Sequence, residues 1–334
     1  MTPGPHPPGD GPRPSGLASD LQEAVAAVAA DGPARPAVAC RRLSDGLHVG
    51  IDEDVRLPTA SIFKLFVLVA LYRWAGAEGV DLHQERHVLR DADRSSGSGF
   101  LAFLDEGLAP TLFDLALLMI VVSDNTATDV LLDHLGIPAV QRVADDLGLI
   151  DTHIGGTCRD LLRDLVGDAA PGLPNHEVYR AGVAAFAAGT NALLDVADID
   201  DRHTWSSPHD LVELLATIWS PDAMAALGIV ESARREVIAV LERQQLSARL
   251  PRYLPPDTAV AHKTGTLPGL IHVAGDAGVI EVPGSGPVAI AVLTATQDQG
   301  TYPPGGPSTF ADDADRQIGR LAWTIYDRLR SDEA

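Results

Sequence analysis

Cysteine and positive charge are scarce in this chain. Its 334 residues contain only two cysteines, Cys40 and Cys158, which do not make the disulfide framework of a small secreted domain. The 25 lysines and arginines are outnumbered by 46 aspartates and glutamates, and the net charge is −21 with the histidines neutral. Because such a chain repels phosphate groups and anionic lipids, we expect no nucleic-acid partner and no membrane partner.

The segments that direct a chain to or through a membrane are also lacking. The first sixteen residues, MTPGPHPPGDGPRPSG, have no basic start and no apolar core, so we predict a cytoplasmic protein without a secretory signal. Their proline and glycine content predicts a disordered tail over residues 1–16. The apolar run LALLMIVV stops at Ser123, which is too short for a membrane span. The eleven histidines show no H-E-x-x-H or similar spacing, so we predict no catalytic metal and no cofactor.

The order of hydrophobic patterns predicts an α+β fold. ARPAVACRRLSDGLHVGID indicates a β-hairpin, the chain from Pro58 to about Gln245 is almost wholly helical in pattern, and TAVAHKTGT, LIHVAGDAGVIEV and PVAIAVLTATQ indicate three strands before an amphipathic C-terminal helix. We therefore predict an antiparallel sheet flanked by helices, with an all-α lobe inserted into it. The predicted boundaries are 17–58 and 257–331 for the discontinuous α/β lobe, 59–256 for the all-α lobe, and 165–204 for an insertion within that lobe.

Three short motifs stand out within this organisation. TASIFKLFVLVALY is an apolar helix with one charge, Lys64, which lies one turn after Ser61. VVSDNTATDVLL places Ser123-Asp124-Asn125 on a turn between two apolar helices, and AVAHKTGTLPG places Lys263-Thr264-Gly265-Thr266 at the end of a strand. Taken singly, each motif is as well explained by helix capping, a strand end or a lysine that extends to water. Together, S-x-x-K, S-D-N and K-T-G form a catalytic set of serine enzymes.

On the segments SIFK, SDNTATD, SSPHDLVELL and HKTGT, the chain resembles the class A serine β-lactamases and the related penicillin-interacting serine hydrolases. The resemblance covers roughly residues 17–331. Ser123 follows Ser61 by 62 positions, as in the family, whereas Lys263 follows Ser123 by 140 positions, which is more than the family usually shows. The resemblance implies a β-lactamase-like fold, an acyl-enzyme and a small amide, ester or β-lactam substrate.

The resemblance also implies a role for each catalytic residue. Ser61 is the nucleophile at a helix start, where backbone N–H groups favour negative charge. Lys64 shares a helix face with Ser61, and its apolar neighbours lower its pKa towards that of a general base. Ser123 then relays the proton to the leaving nitrogen, and Lys263 holds Ser123 and a substrate carboxylate.

The binding residues follow from the same resemblance. Asn125 resembles the family's ligand for the substrate amide carbonyl. Thr264 and Thr266 are the hydroxyl donors, with Gly265 between them in the strand. The N–H of Thr266, paired with that of Ser61, resembles the family's oxyanion hole.

One element of the family is missing. Class A β-lactamases release the acyl group with a glutamate in a Glu-x-x-Leu-Asn loop, and this chain has IDTHIGGTCRDLLRDLVGD instead. Aligning the start of the two segments brings Asp160 to the place of the glutamate, although Asp160 also suits a cap of the helix-like DLLRDL. We therefore expect slow deacylation. Cys158 and His262 adjoin the predicted site and are interpreted as packing residues.

Three functions fit this pattern. The first is a serine hydrolase of the class A β-lactamase-like family, which acts through an acyl-enzyme on a β-lactam or another amide or ester. The second is a biosynthetic or peptide-processing acyltransferase that uses the same site with an amine or alcohol in place of water. The third is a non-catalytic penicillin-binding or sensor protein, which the four intact motif residues disfavour and the missing glutamate favours.

Overall fold

A computed structural model describes residues 16–32, 35–166, 201–267, 271–297 and 309–330, with a few further residues between 172 and 184. The predicted tail, except for Gly16, lies outside these ranges, as does most of the predicted 165–204 insertion. The helices are α1 Gly16–Ala30, α2 Lys64–Glu78, α3 Leu112–Val121, α4 Asn125–Leu135, α5 Ile137–Asp146, α6 Cys158–Val166, α7 Pro208–Trp219, α8 Pro221–Ala226, α9 Glu231–Leu241 and α10 Thr309–Arg330. The strands are β1 Ala37–Arg42, β2 His48–Ile51, β3 Leu57–Pro58, β4 Trp205–Ser206, β5 Val260–Leu267, β6 Ile271–Val282 and β7 Gly286–Gln297.

Five of the strands form one antiparallel sheet in the order β2-β1-β7-β6-β5. The hairpin at the start of the chain therefore pairs with the last strand, so the sheet is assembled from both ends of the sequence. β5, which carries the K-T-G motif, is an edge strand of this sheet. A separate two-stranded ladder pairs β3 with β4 just before Ser61.

The two faces of the sheet pack against different helices. Because side chains alternate along a strand, Val38 and Cys40 contact the core under α1 and α10, whereas Ala39 faces the helical block. In β7 the same alternation puts Ile290 and Val292 on the first face and mainly alanines on the second. The small alanine side chains let the helical block approach the sheet closely. The sheet and its flanking helices confirm the predicted α+β class with an antiparallel sheet.

Helix α2 is the centre of the helical block. Every residue from Lys64 to Tyr72 is buried, as expected for a helix segment that is apolar on all sides. The helix from Ala60 to Glu78 is long and apolar enough to cross a membrane by length and composition, contrary to our expectation from the sequence. However, 72% of its apolar window is buried inside the protein, as in a core helix. The absence of a membrane partner and the cytoplasmic location stay predictions.

Side-chain caps and tight turns set where some helices begin, and the hydrophobic pattern alone does not show these positions. Ser220 caps the short α8, because its side chain accepts the N–H of Ala223. The segment before Lys64 forms a tight 3-10 turn, Ala60–Phe63, so Ser61 precedes the α-helix proper. The lobe boundaries given above stay predictions.

Candidate active site

Ser61 lies where the 3-10 turn meets the edge strand β5. The preceding residue, Ala60, has a φ of 45°, a left-handed conformation that costs energy for a residue with a side chain. Gly265 in β5 faces this turn so closely that a Cβ on it would lie 2.3 Å from the carbonyl oxygen of Thr59 and 3.2 Å from the backbone nitrogen of Ile62. Glycine is therefore required at this position for the Ser61 turn and β5 to touch.

Lys64 is completely buried, and its Nζ is held by polar atoms of the S-D-N segment. Its Nζ donates to the carbonyl oxygen of Ser123 at 2.8 Å, to Ser123 Oγ at 3.1 Å and to Asn125 Oδ1 at 2.9 Å. Burial lowers the pKa of Lys64, and the nearby carboxylates of Asp124 and Asp129 oppose that shift only in part. A lysine with a lowered pKa, one turn after a serine, has the properties of a general base.

Ser123 lies between the two lysines of the motifs. Its Oγ accepts hydrogen bonds from Lys64 Nζ and from Lys263 Nζ, each at 3.1 Å. Its φ of 58° is left-handed, and strain of this kind is concentrated at functional sites. Lys263 also donates to the carbonyl oxygen of Thr264 at 2.8 Å. The pKa of Lys263 lies well below its ordinary value because of burial first and repulsion by Lys64 second.

The rest of the S-D-N motif fixes this geometry. Asp124 caps α4 through the N–H of Ala127 at 2.9 Å, and its other oxygen accepts the N–H groups of Phe100 and Leu101. Asn125 donates through Nδ2 to the carbonyl oxygen of Ser96 at 2.8 Å. The SSGSGF segment therefore holds the turn that carries Ser123, and Asn125 touches Lys64 directly.

The K-T-G-T segment is supported by an arginine that the sequence analysis did not identify. Arg249 donates to the carbonyl oxygen of Gly265 and to Thr266 Oγ1, both at 2.6 Å, and forms an ion pair with Asp315. Thr266 is exposed, whereas Thr264 is buried. Arg249 lies fourteen positions before Lys263 in a segment without a motif, so no signal in the sequence pointed to it. Its guanidinium adds positive charge beside the predicted substrate contacts.

A buried contact between a histidine and a carboxylate lies behind the same strand. His262, which the sequence analysis interpreted as packing, is 2.9 Å from Asp276 through Nδ1. Asp276 also accepts the N–H of Leu250 at 3.1 Å, and its negative charge partly offsets the lowered pKa of Lys263. His262 therefore positions a carboxylate that acts on Lys263.

The structure places Asp160 in a helix cap. Asp160 Oδ2 accepts hydrogen bonds from Thr157 Oγ1 at 2.6 Å and from the Thr157 N–H at 3.1 Å, while Thr157 Oγ1 accepts the N–H of Asp160. This is a capping box at the start of α6, and Asp160 is exposed. The role of Asp160 in activating water stays a prediction, and the geometry favours the alternative, that of a cap.

Cys158 occupies the inward face at the start of α6. It is buried, and it lies near Lys64. Asp129 fixes this end of the helix by accepting the N–H groups of Cys158 at 2.8 Å and Arg159 at 3.0 Å. Two residues along a helix correspond to about 200° of rotation, so Asp160 points away from the side that Cys158 faces. Burial and Asp129 raise the pKa of the thiol, which is therefore protonated.

The structure thus brings Ser123, Lys64, Lys263 and Asn125 into direct contact and puts Ser61 on a turn against β5. Gly265 touches that turn, and Thr264 accepts from Lys263 through its carbonyl oxygen. The catalytic and binding roles of these residues stay predictions, because the contacts show where the residues lie and not which reaction they carry out.

Comparison with known proteins gives a consistent result. Residues 20–329 match the family described as the beta-lactamase enzyme family. The β-lactamase regulatory protein BlaB of Streptomyces cacaoi is 30% identical over 294 residues, which are 84% of this chain and 91% of BlaB. A β-lactamase of Streptomyces fradiae is 28% identical over 252 residues, or 75% of this chain and 70% of that protein. The crystal structure of a β-lactamase from Sphaerobacter thermophilus is 27% identical with a TM-score of 0.67, and the match covers 92% of this chain and 95% of that one. The resemblance inferred from the motifs is confirmed, and the chain belongs to the β-lactamase enzyme family.

Proposed function

We propose that the protein is a serine hydrolase that forms an acyl-enzyme on Ser61 with a β-lactam or another amide or ester. The observation that carries this proposal is the convergence of Lys64 and Lys263 on the hydroxyl oxygen of Ser123. Burying two amines against one hydroxyl costs free energy, because burial disfavours the charged form of each amine. Proton transfer through Ser123 gives a functional reason for this arrangement.

The proposed acylation step uses these groups in sequence. Ser61 Oγ attacks the substrate carbonyl carbon and its proton passes to the neutral amine of Lys64. The oxyanion is stabilised by the N–H groups of Ser61 and Thr266. The C–N or C–O bond then breaks, Ser123 donates its proton to the leaving atom, and Lys64 returns a proton to Ser123. The acyl group remains on Ser61, and the lysines end in their starting states.

The charges around β5 support an anionic substrate. Lys263 and the Arg249 guanidinium both lie at the K-T-G-T segment, and Arg249 reaches Thr266 Oγ1. The exposed Thr266 hydroxyl accepts from Arg249 and can donate its own proton to a substrate carboxylate, which would also be attracted by the guanidinium charge. The proposal therefore favours β-lactams and amides or esters that carry a carboxylate.

Deacylation is expected to be slow. The face of α6 directed at Lys64 presents a protonated thiol at Cys158, whereas the Asp160 carboxylate is used in the capping box. A thiol is a poor general base when its pKa is raised, so water near the acyl group is not well activated. A long-lived acyl-enzyme suits a sensor better than a resistance enzyme, and the relative BlaB bears the name of a regulatory protein. We therefore keep penicillin sensing as the second candidate function.

Time-resolved intact-protein mass spectrometry tests the proposal. A panel of penicillins, cephalosporins and activated carboxylate esters should add one acyl mass per chain to the wild type. Ser61→Ala should remove the adduct, and Ser98→Ala is the matched control because Ser98 is exposed on the neighbouring SSGSGF segment. Labelling that persists in Ser61→Ala would disprove the nucleophile, and the decay of the adduct separates a hydrolase from a sensor.

A further inference from the structure

We propose that His48, Glu53 and His209 form a zinc-type divalent cation site, separate from the residues of the candidate active site. The triad brings together strand β2, the turn after it and the first turn of α7. One ligand atom from each residue lies within 4.8 Å of the other two. His48 Nε2 is 2.5 Å from Glu53 Oε2, and His209 Nδ1 is 3.9 Å from the same oxygen. The residues are 5 and 156 positions apart in sequence, which is why no metal-binding spacing was visible.

The backbone around the triad is shaped to bring the Glu53 carboxylate between the histidines. Asp52 has a left-handed φ of 47°, which turns the chain back after β2. Gly50 leaves room for the carboxylate, because a Cβ there would lie 2.3 Å from Glu53 Oε2. The carbonyl oxygen of Glu53 accepts the N–H of His209 at 3.0 Å, so the backbone already joins these two ligands. The backbone therefore brings the three residues together independently of their side-chain conformations.

The donor set fits zinc chemistry. Two imidazole nitrogens and one carboxylate oxygen are the ligands of many three-residue zinc sites, with water in the fourth position. Zinc–ligand bonds of about 2.0–2.1 Å in tetrahedral geometry put ligand atoms about 3.3 Å apart. The two Glu53 separations of 2.5 Å and 3.9 Å bracket that value, so each needs to change by less than about 1 Å. The ligand atoms of the two histidines lie within 4.8 Å of each other. The nitrogen donors favour zinc and similar metals over calcium or magnesium.

The triad is open to solvent. The side chains of His48, Glu53 and His209 are 30%, 26% and 43% exposed, which leaves a path for a cation and room for a bound water. The Glu53 carboxylate would contribute one negative charge to the site, and the two imidazoles would bind the cation as neutral ligands. The strongly acidic chain as a whole further raises the local concentration of cations.

A metal in this position would join two parts of the chain that frame the Ser61 turn. Glu53 lies four positions before β3 and His209 lies three positions after β4, and β3 pairs with β4 through Leu57 and Ser206. β3 leads directly into the 3-10 turn that contains Ser61. The cation would therefore brace the base of this two-stranded ladder, which makes its role structural and independent of the proposed acylation chemistry.

Zinc titration of the full-length protein tests the site. We expect one equivalent to bind by isothermal titration calorimetry, with a rise in melting temperature, and Co²⁺ in its place should give the visible absorption of a low-coordinate site. His48→Ala and His209→Ala should each weaken binding by more than about a hundredfold, since loss of a ligand costs more than loss of a ligand's hydrogen-bond partner. Glu53→Gln keeps the shape of the side chain and should weaken binding similarly, with folding checked by circular dichroism.

His134→Ala is the matched control. His134 belongs to another histidine pair with a carboxylate, in which His87 meets Asp93 through one ring nitrogen and His134 through the other, so the three do not converge on one point. This variant should bind zinc like the wild type, and so should Ser61→Ala. The proposal is overturned if the wild type takes up no stoichiometric zinc, if Glu53→Gln and His209→Ala retain wild-type affinity, or if His134→Ala loses as much as they do.

Discussion

Replacing Gly265 by alanine tests whether the contact between β5 and the Ser61 turn sets the rate of acylation. The new Cβ would lie 2.3 Å from the carbonyl oxygen of Thr59 and 2.9 Å from Cγ1 of Ile62. Backbone atoms cannot move aside as a flexible side chain can, so the turn and the strand must separate by about 1 Å to reach an ordinary contact. A misplacement of this size costs about a hundredfold in rate, equivalent to about 2.7 kcal/mol in the barrier.

The assay is the rate of acyl-adduct formation at saturating penicillin, measured by mass spectrometry on protein whose folded fraction is known from thermal melts. Gly76→Ala, within α2, is the matched control. Its new Cβ would meet only the carbonyl oxygen of Gly228, at a distance of 3.4 Å. That variant should acylate at the wild-type rate and gain up to about 1 kcal/mol from helix propensity. If folded Gly265→Ala acylates within about threefold of the wild type, the close contact does not position Ser61 and the reasoning fails.

The remaining predictions concern Lys64 and helix α6. Lys64→Arg should remove most acylation in a folded protein because guanidinium stays protonated, and an unchanged rate would assign the base elsewhere. In the wild type the acylation rate should rise with pH as Lys64 loses its proton, at a pH below the ordinary lysine pKa because burial lowers that pKa, and a pH-independent rate would contradict this. Asp160→Asn should leave the acyl-enzyme lifetime unchanged and cost up to about 1 kcal/mol of stability, whereas a longer lifetime would restore Asp160 as the base. Cys158→Glu should shorten the lifetime by placing a carboxylate beside Lys64, and an unchanged lifetime in folded protein would show that Cys158 does not face the water.

The sequence was sufficient for the fold class and for the residues that meet around Ser123. Alternating apolar residues bounded by turn residues mark β5 to β7. The K-T-G motif lies in β5 and the S-D-N motif at the start of α4, and the local composition shows where these elements begin and end. Because Lys64 is the one charge in the apolar segment TASIFKLFVLVALY, its burial could also be foreseen. These features depend on residues near one another in the chain.

The features that escaped prediction depend on rotation and on distant contacts. Aligning a loop by its first residues, which brings Asp160 to the place of the glutamate, does not show the rotational phase of α6. That phase directs Cys158 inwards and is set by Asp129 from another helix. Arg249 reaches the K-T-G-T strand from a segment without a recognisable pattern. The His48 triad joins residues that only the sheet and α7 bring together.

The hydroxyl of Ser123 is bound by one lysine 59 positions earlier in the chain and by another 140 positions later. Closing loops of such length costs entropy that early folding contacts do not repay. An intermediate with a formed helical block but without β5 would therefore hold Ser61 and Lys64 and still lack the second amine. Under the proposed function, pulses of fluorescent penicillin during refolding would label only chains in which β5 has joined the helical block. The proposed acylation would then report the time at which folding is complete.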